Sequence, residues 1–268
     1  MSDAKSVVQS VAKTFAVLSA FTIGDSELTI SEVGEHAGLD RGTSFRLINT
    51  LVMLGYLAAV PGSRRFRLTL KCLDLGYSAL ALGGLTPMAT PILRQMVPEV
   101  ADAASLGVLQ GADVVYVARV QADMGRRDLD RRVGSRTGAY AAALGHVLLA
   151  WMPAEEARAV LAAGERVRLS ERTLVDLDLL MERLATVRAQ GYATADGENA
   201  YGLRTVAAPV LDASGQVRAG ISLTIRVERQ ELDAFVAATL PELLRTTANL
   251  AAALQKTDPN AEAARRRA

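Results

Sequence analysis

Residues Leu39–Leu57 read LDRGTSFRLINTLVMLGYL. Ser44, Leu47, Ile48, Leu51 and Leu54 recur at i, i+3, i+4 and i+7 spacing. This predicts a helix over 42–54 with that stripe packed inward, ended by Gly55. Arg46, Asn49 and Thr50 then point away from the core. Thr43 stands at the exposed N-terminal end, and Phe45 lies between the two faces.

Upstream, Val7, Val8, Val11, Phe15, Val17, Leu18 and Phe21 keep helical spacing from Ser6 to Phe21, and Gly24-Asp25 breaks it. A short second helix is expected from Thr29-Ile30-Ser31 to about Ala37, with Ser31 as its N-cap and Gly38 as its stop. Downstream, Tyr56–Val60 reads as a strand and Pro61-Gly62-Ser63 as a turn. A second strand runs Arg65–Leu70, with Phe66, Leu68 and Leu70 alternating against Arg65, Arg67 and Thr69. Three helices followed by a two-stranded ribbon make a winged helix-turn-helix.

From Arg41 to Lys71 there are six basic residues and no acidic one. They fall on the helix and wing that such a motif presents to a duplex, so DNA binding explains them better than a solvated face does. The candidate DNA-contacting residues are Arg41, Thr43, Ser44, Phe45, Arg46 and Asn49 on the helix, with Arg64 and Arg65 at the wing tip.

Leu70, Leu73, Tyr77, Leu80 and Ala81 share one face of a linking helix, and Gly83-Gly84 marks its exit. The expected division is a DNA-binding domain over 1–70, the linking helix over 71–86, an α/β domain over 87–256 and a disordered tail over 257–268. Within the second domain a helix is expected over Pro91–Ala103. A hairpin follows over Leu106–Leu109 and Val114–Val120. Helices are expected over Ala141–Met152, Ala154–Ala162 and Leu177–Gln190. A second hairpin pairs Arg204–Leu211 with Gln216–Ile225, and a last helix runs Glu228–Leu254 with a kink at Pro241. The charged segment Gly125–Arg132 reads as a solvent-facing strand or loop, or as a contact to DNA or a neighbouring subunit.

Composition narrows the function. The 268 residues are 50% hydrophobic, 22% charged and 4% aromatic, with a formal net charge of +1. A wholesale polycation is excluded, while a local basic patch is not. Arginine outnumbers lysine 26 to 4, which skewed genome composition explains as well as function does. Cys72 stands alone, and MSDAKSVVQS lacks the apolar core of a signal peptide, so a soluble cytoplasmic protein is expected, without a membrane span. The histidines are His36 and His146. Zinc spacings, a phosphate loop, a dinucleotide fingerprint and a nucleophile elbow are all missing from the sequence. A small-molecule hydrolase in the second domain is the competing reading, but His146 has no identifiable nucleophile beside it. No catalytic residue, metal or cofactor is expected.

The chain resembles the IclR-type (isocitrate lyase regulator) family of bacterial transcription factors over residues 5–255. Leu39–Leu57 carries the likeness, with VGSRTGAYAAALGHVLLA at Val133–Ala150 and GYATADGENAYGLRTVAAPVLDASGQVRAGISL at Gly191–Leu223. The second stretch is most similar to the branch controlling aromatic-acid catabolism. It departs from the family at His146, where lysine or arginine is common, and at Ala141-Ala142-Ala143. The resemblance implies an α+β protein: a winged helix-turn-helix, a linking helix and a GAF-like effector domain. It also implies a homodimer or dimer of dimers on palindromic operator DNA, acting as repressor or activator of a catabolic operon.

An effector site can be argued from the residues themselves. Period-two alternation puts Gly220, Ser222 and Thr224 on one strand face, with Thr205 and Ala207 on the partner strand. The helix beginning near Ala141 points the N–H groups of Ala143, Leu144 and Gly145 toward the same space, which favours a carboxylate. Family positions add Asp196 and Leu203. The candidate effector-binding set is therefore Ala143, Leu144, Gly145, Asp196, Leu203, Thr205, Ser222 and Thr224, for a small carboxylate of aromatic type.

Overall fold

The computed structural model describes residues 7–80, 85–122 and 131–257. The chain forms two compact units, Met1–Leu80 and Ala81–Ala268.

In the first unit, α1 (Gln9–Ser19), α2 (Ile30–Ala37) and α3 (Arg41–Met53) precede β2 (Leu57–Ala59), β3 (Arg65–Leu68) and α4 (Cys72–Leu80). A two-residue β1 (Leu28–Thr29) adds a third strand to the wing, giving the order β1-β3-β2. The cap of α2 is Thr29, not Ser31. Its side chain accepts from the Glu32 N–H while Glu32 reaches back to the Thr29 N–H, forming a capping box. Gly38 takes the left-handed conformation that stops α2. Val17, Phe21, Leu28, Val33, Ile48, Leu51 and Leu57 form the core. Leu54, expected to face inward, is exposed.

The second unit is built on a six-stranded antiparallel sheet of order β6-β5-β4-β9-β8-β7. Its strands are β4 (Ala103–Gln110), β5 (Asp113–Gln121), β6 (Arg136–Gly138), β7 (Ala193–Asp196), β8 (Leu203–Leu211) and β9 (Val217–Arg226). On one face lie α6 (Ala143–Ala150), α7 (Ala154–Ala163) and α8 (Leu177–Gln190), which share a core with Ala193 and Ala207. The flanking α5 (Leu85–Gln95) and α9 (Leu232–Thr257) contact each other and reach the sheet through β5 and β8.

Two helices differ from expectation. α5 ends at Gln95 with Pro91 inside it, because Pro98 cannot continue a helix and Ala103 already belongs to β4. α9 begins at Leu232 and carries Pro241 internally. α9 runs through Pro241 as a single helix, Leu232–Thr257. No helix among the described residues is long and apolar enough to cross a membrane.

Between β4 and β5 the register shifts: Ser105 pairs Arg119 and Leu106 pairs Ala118, but Gly107 pairs Tyr116. Val117 is the extra residue of a β-bulge. Tyr116 and Arg119 therefore share one face although they are three positions apart in sequence. The same face continues through Ser105 to Ser222 and on to Ala207.

Candidate functional sites

The helix-turn-helix is set by close contacts at its turn. A Cβ on Gly34 of α2 would lie 2.9 Å from the Leu39 carbonyl and 3.0 Å from Ser44 Oγ. Asp40 caps α3, accepting from the Thr43 N–H at 2.9 Å and the Thr43 hydroxyl at 2.7 Å. Those bonds hold the Asp40 carboxyl below its usual range.

Arg41, Phe45, Arg46 and Arg64 are exposed, and Thr43 and Asn49 half-exposed. Two residues of the expected DNA-contacting set are placed otherwise. Ser44 is fully buried and donates its hydroxyl to the Asp40 carbonyl at 2.9 Å. Arg65 forks onto Glu32 at 3.1 and 3.2 Å and donates to the Glu27 carbonyl at 2.7 Å. It fastens the wing to the capping box of α2. Lys71 is similarly engaged, donating to the Leu54 carbonyl at the end of α3 and lying over the Tyr56 ring.

In the second unit, a small cavity opens between the sheet, the start of α6 and the loop after β7. Ala143, Leu144, Leu203, Thr205, Ser222 and Thr224 all line it. Thr205 and Thr224 hydrogen-bond each other across the β8–β9 ladder at 3.0 Å. Leu144 lies over Gly107 and Gly220, which are paired in register. A Cβ on either glycine would come within 3.1 Å of a Leu144 methyl. The first turn of α6 is closed by no capping side chain, so its N–H groups are available to an anion at the cavity.

Gly145 and Asp196 do not line the cavity. A Cβ on Gly145 would lie 2.1 Å from the Ala139 carbonyl oxygen, so this glycine lets the incoming chain cross the helix. The Asp196 carboxylate is held by Arg204 and Arg172.

Nine lining residues lie outside the expected set, among them Tyr116, Arg119, Arg131 and Glu198. Arg119 donates to Ser105 Oγ at 2.7 Å and to Gln121 Oε1 at 3.2 Å, while its Nη2 is buried without a partner. Burial pulls its pKa down to about 10. Arg131 donates to the Tyr116 hydroxyl at 3.1 Å, and both guanidiniums lie over the Tyr116 ring, 5.7 and 5.9 Å from its centre. Glu198, the one acidic residue of the lining, has one oxygen bound to Arg183 at 3.1 Å. Two guanidiniums are thus left without a carboxylate among the described residues. Arg131 and Arg132 close the charged segment Gly125–Arg132, of which residues 125–130 lie outside the described residues.

Comparison with known proteins decides the family. Residues 10–61 match the IclR helix-turn-helix domain, and residues 78–252 match the bacterial transcriptional regulator IclR C-terminal domain. The chain belongs to the IclR family. Among its relatives is the transcriptional regulator KdgR of Escherichia coli, 34% identical over 234 residues, 86% of this chain and 88% of that protein. The p-hydroxybenzoate hydroxylase transcriptional activator of Acinetobacter baylyi is 30% identical over 246 residues, 90% of each chain. A crystal structure of a transcriptional regulator from Rhodococcus sp. RHA1 superposes with a TM-score of 0.82 at 36% identity, covering 94% of this chain and 100% of that one. Like its relatives, this IclR protein is a transcriptional regulator and not an enzyme.

The family departure at His146 has a structural account. His146 is fully buried, its Nε2–H donates to the Tyr140 carbonyl at 2.7 Å, and burial pushes its pKa down to about 4. The Tyr140 hydroxyl in turn donates to the Val167 carbonyl and accepts from the Val167 N–H. His146 is a neutral core residue that pins the segment leading into α6.

Proposed function

We propose that this IclR regulator binds operator DNA through α3 and the wing tip and responds to a small carboxylate of aromatic type held in the second unit. The observation that carries the reading is the pair of guanidiniums, Arg119 and Arg131, flanking Tyr116 without a carboxylate partner among the described residues. A buried cation costs free energy unless it is paired, and a planar carboxylate satisfies a guanidinium bidentately. Thr205, Ser222 and Thr224 add hydroxyls, and the start of α6 adds N–H groups. The aromatic assignment draws on the Acinetobacter activator, whose name refers to p-hydroxybenzoate.

On the DNA side, Arg41, Thr43, Phe45, Arg46, Asn49 and Arg64 form the contact set. The protein acts as a homodimer or dimer of dimers on a catabolic operon in the cytoplasm. Support for self-association is the apolar surface left open on the first unit: Val8 just before α1, Val11 and Phe15 on it, Met53 at the end of α3, and Leu70, Leu73 and Leu75 near α4 are all more than half exposed. A thermal-shift screen of benzoates, other aromatic acids and short 2-oxo acids tests the effector reading. A ligand at 100 times its Kd adds about 2.7 kcal/mol of stability. Silence across all acids, or turnover of any of them, sinks it.

A further inference from the structure

The guanidiniums account for one end of a ligand, and Glu198 remains. It is about nine-tenths buried, with 8% of its surface exposed, yet it lines the cavity. One carboxylate oxygen is bound by Arg183, and the other, Oε2, is buried without a partner. A buried unpaired oxygen costs free energy that a ligand group recovers by donating to it. The backbone here is firmly placed: the Glu198 carbonyl accepts from the Thr173 hydroxyl at 2.6 Å and the Ser170 hydroxyl at 3.3 Å. The next residue, Asn199, is tied to Thr137 at 3.0 Å. Arg183 orients the carboxylate as it neutralises it. Glu198 enters from the loop after β7, whereas Arg119 enters from β5, so acceptor and cations stand on different walls.

We infer that Glu198 is a specificity-determining residue. It accepts a hydrogen bond from a hydroxyl on the effector, placed away from the effector's carboxylate, and so selects a hydroxylated acid over the plain one. The discrimination comes from the empty acceptor: an acid lacking the hydroxyl leaves Oε2 buried and unmet, whereas a hydroxyl aimed at it forms a charge-assisted bond. Burial pushes the Glu198 carboxyl up, and the Arg183 guanidinium opposes that shift.

This inference rests on the effector-cavity reading above, and one titration set separates the two. Benzoate, 3-hydroxybenzoate and 4-hydroxybenzoate are titrated calorimetrically into the full-length protein and into E198A and E198Q, with unfolding curves confirming that each variant is folded. The wild type is expected to prefer one hydroxybenzoate over benzoate by about tenfold or more. In E198A that ratio collapses to within about twofold, with benzoate affinity little changed. E198Q, which keeps the shape and one neutral acceptor, shows an intermediate ratio and carries the test if E198A does not fold. Benzoate binding with no hydroxyl preference in the wild type overturns the role of Glu198 and leaves the cavity reading intact. A preference undiminished in both variants does the same. If none of the three acids binds, the role of Glu198 falls, and the cavity reading is decided by the wider acid screen above.

Discussion

Thr137 and Asn199 stand at opposite ends of the strand order, one on β6 and the other just beyond β7, yet they hydrogen-bond at 3.0 Å. The bond joins the two edges of the sheet, and Gly197, Glu198, Asn199 and Ala200 of the loop after β7 line the cavity. That loop begins and ends on glycines in the left-handed region, Gly197 at φ 71° and Gly202 at φ 73°, where other residues are strained.

Asn199→Ala removes the clasp without touching the strand floor. Effector Kd is expected to rise by about threefold to tenfold, the worth of one hydrogen bond, mostly through faster release. Stopped-flow displacement measures this, and an unchanged off-rate argues against the loop as a cover.

Arg119→Met separates ligand binding from folding. Deleting a desolvated, half-partnered guanidinium relieves the empty protein, raising unliganded stability by about 1–2 kcal/mol. That corresponds to roughly 2–8 °C in Tm for a unit of this size. The same change abolishes the thermal shift produced by aromatic acids. A variant that is less stable when empty and still responds to acids contradicts the role given to Arg119.

Arg46 and Arg65 are both basic residues of the winged helix, but they differ in engagement. With about three phosphate contacts per half-site, a dimer gives a log–log salt slope near −5, and Arg46→Ala flattens it by about 2. Arg65→Ala leaves the slope unchanged and lowers the stability of the first unit by about 1 kcal/mol or less, since its pair with Glu32 is partly exposed. Operator titrations at several salt concentrations distinguish the two.

His146 predicts a pH dependence of stability. Its folded pKa of about 4 lies below the ordinary histidine value of 6.5. Between those values the unfolded chain binds more protons than the folded one, so stability falls as pH drops from 6.5 toward 4. The loss approaches about 3 kcal/mol at the acid end. His146→Gln, which retains a donor for the Tyr140 carbonyl, removes this component. Denaturant unfolding at several pH values between 4 and 7 reads the difference between the two proteins.

Much of this was legible from side-chain periodicity, and the exceptions have physical reasons. Leu177–Gln190 matches α8 because a cap at Asp176 and a glycine at Gly191 bracket a full amphipathic repeat. β1, β6 and β7 are two to four residues long, too short for alternation to register. The hydroxyl row Thr205, Ser222, Thr224 follows regular alternation and lines the cavity. Arg119 was hidden because the bulge at Val117 reverses the parity of β5. Ser44 and Arg65 have residue types suited to DNA, but their partners, the Asp40 carbonyl and Glu32, are set by tertiary contacts. The exposed apolar residues of α1 share the periodicity of a buried face, and a single chain's pattern does not distinguish a core from a surface that another copy covers.

The parity change in β5 bears on how the binding pocket is re-engineered. A mutagenesis library for a metabolite sensor, laid out by counting every second position from Tyr116, would diversify Ala118 and Val120. Both side chains point to the reverse side of the sheet, and Arg119, which lines the cavity, would stay constant in every clone. Randomising Tyr116 together with Arg119 instead places both mutated side chains toward the cavity.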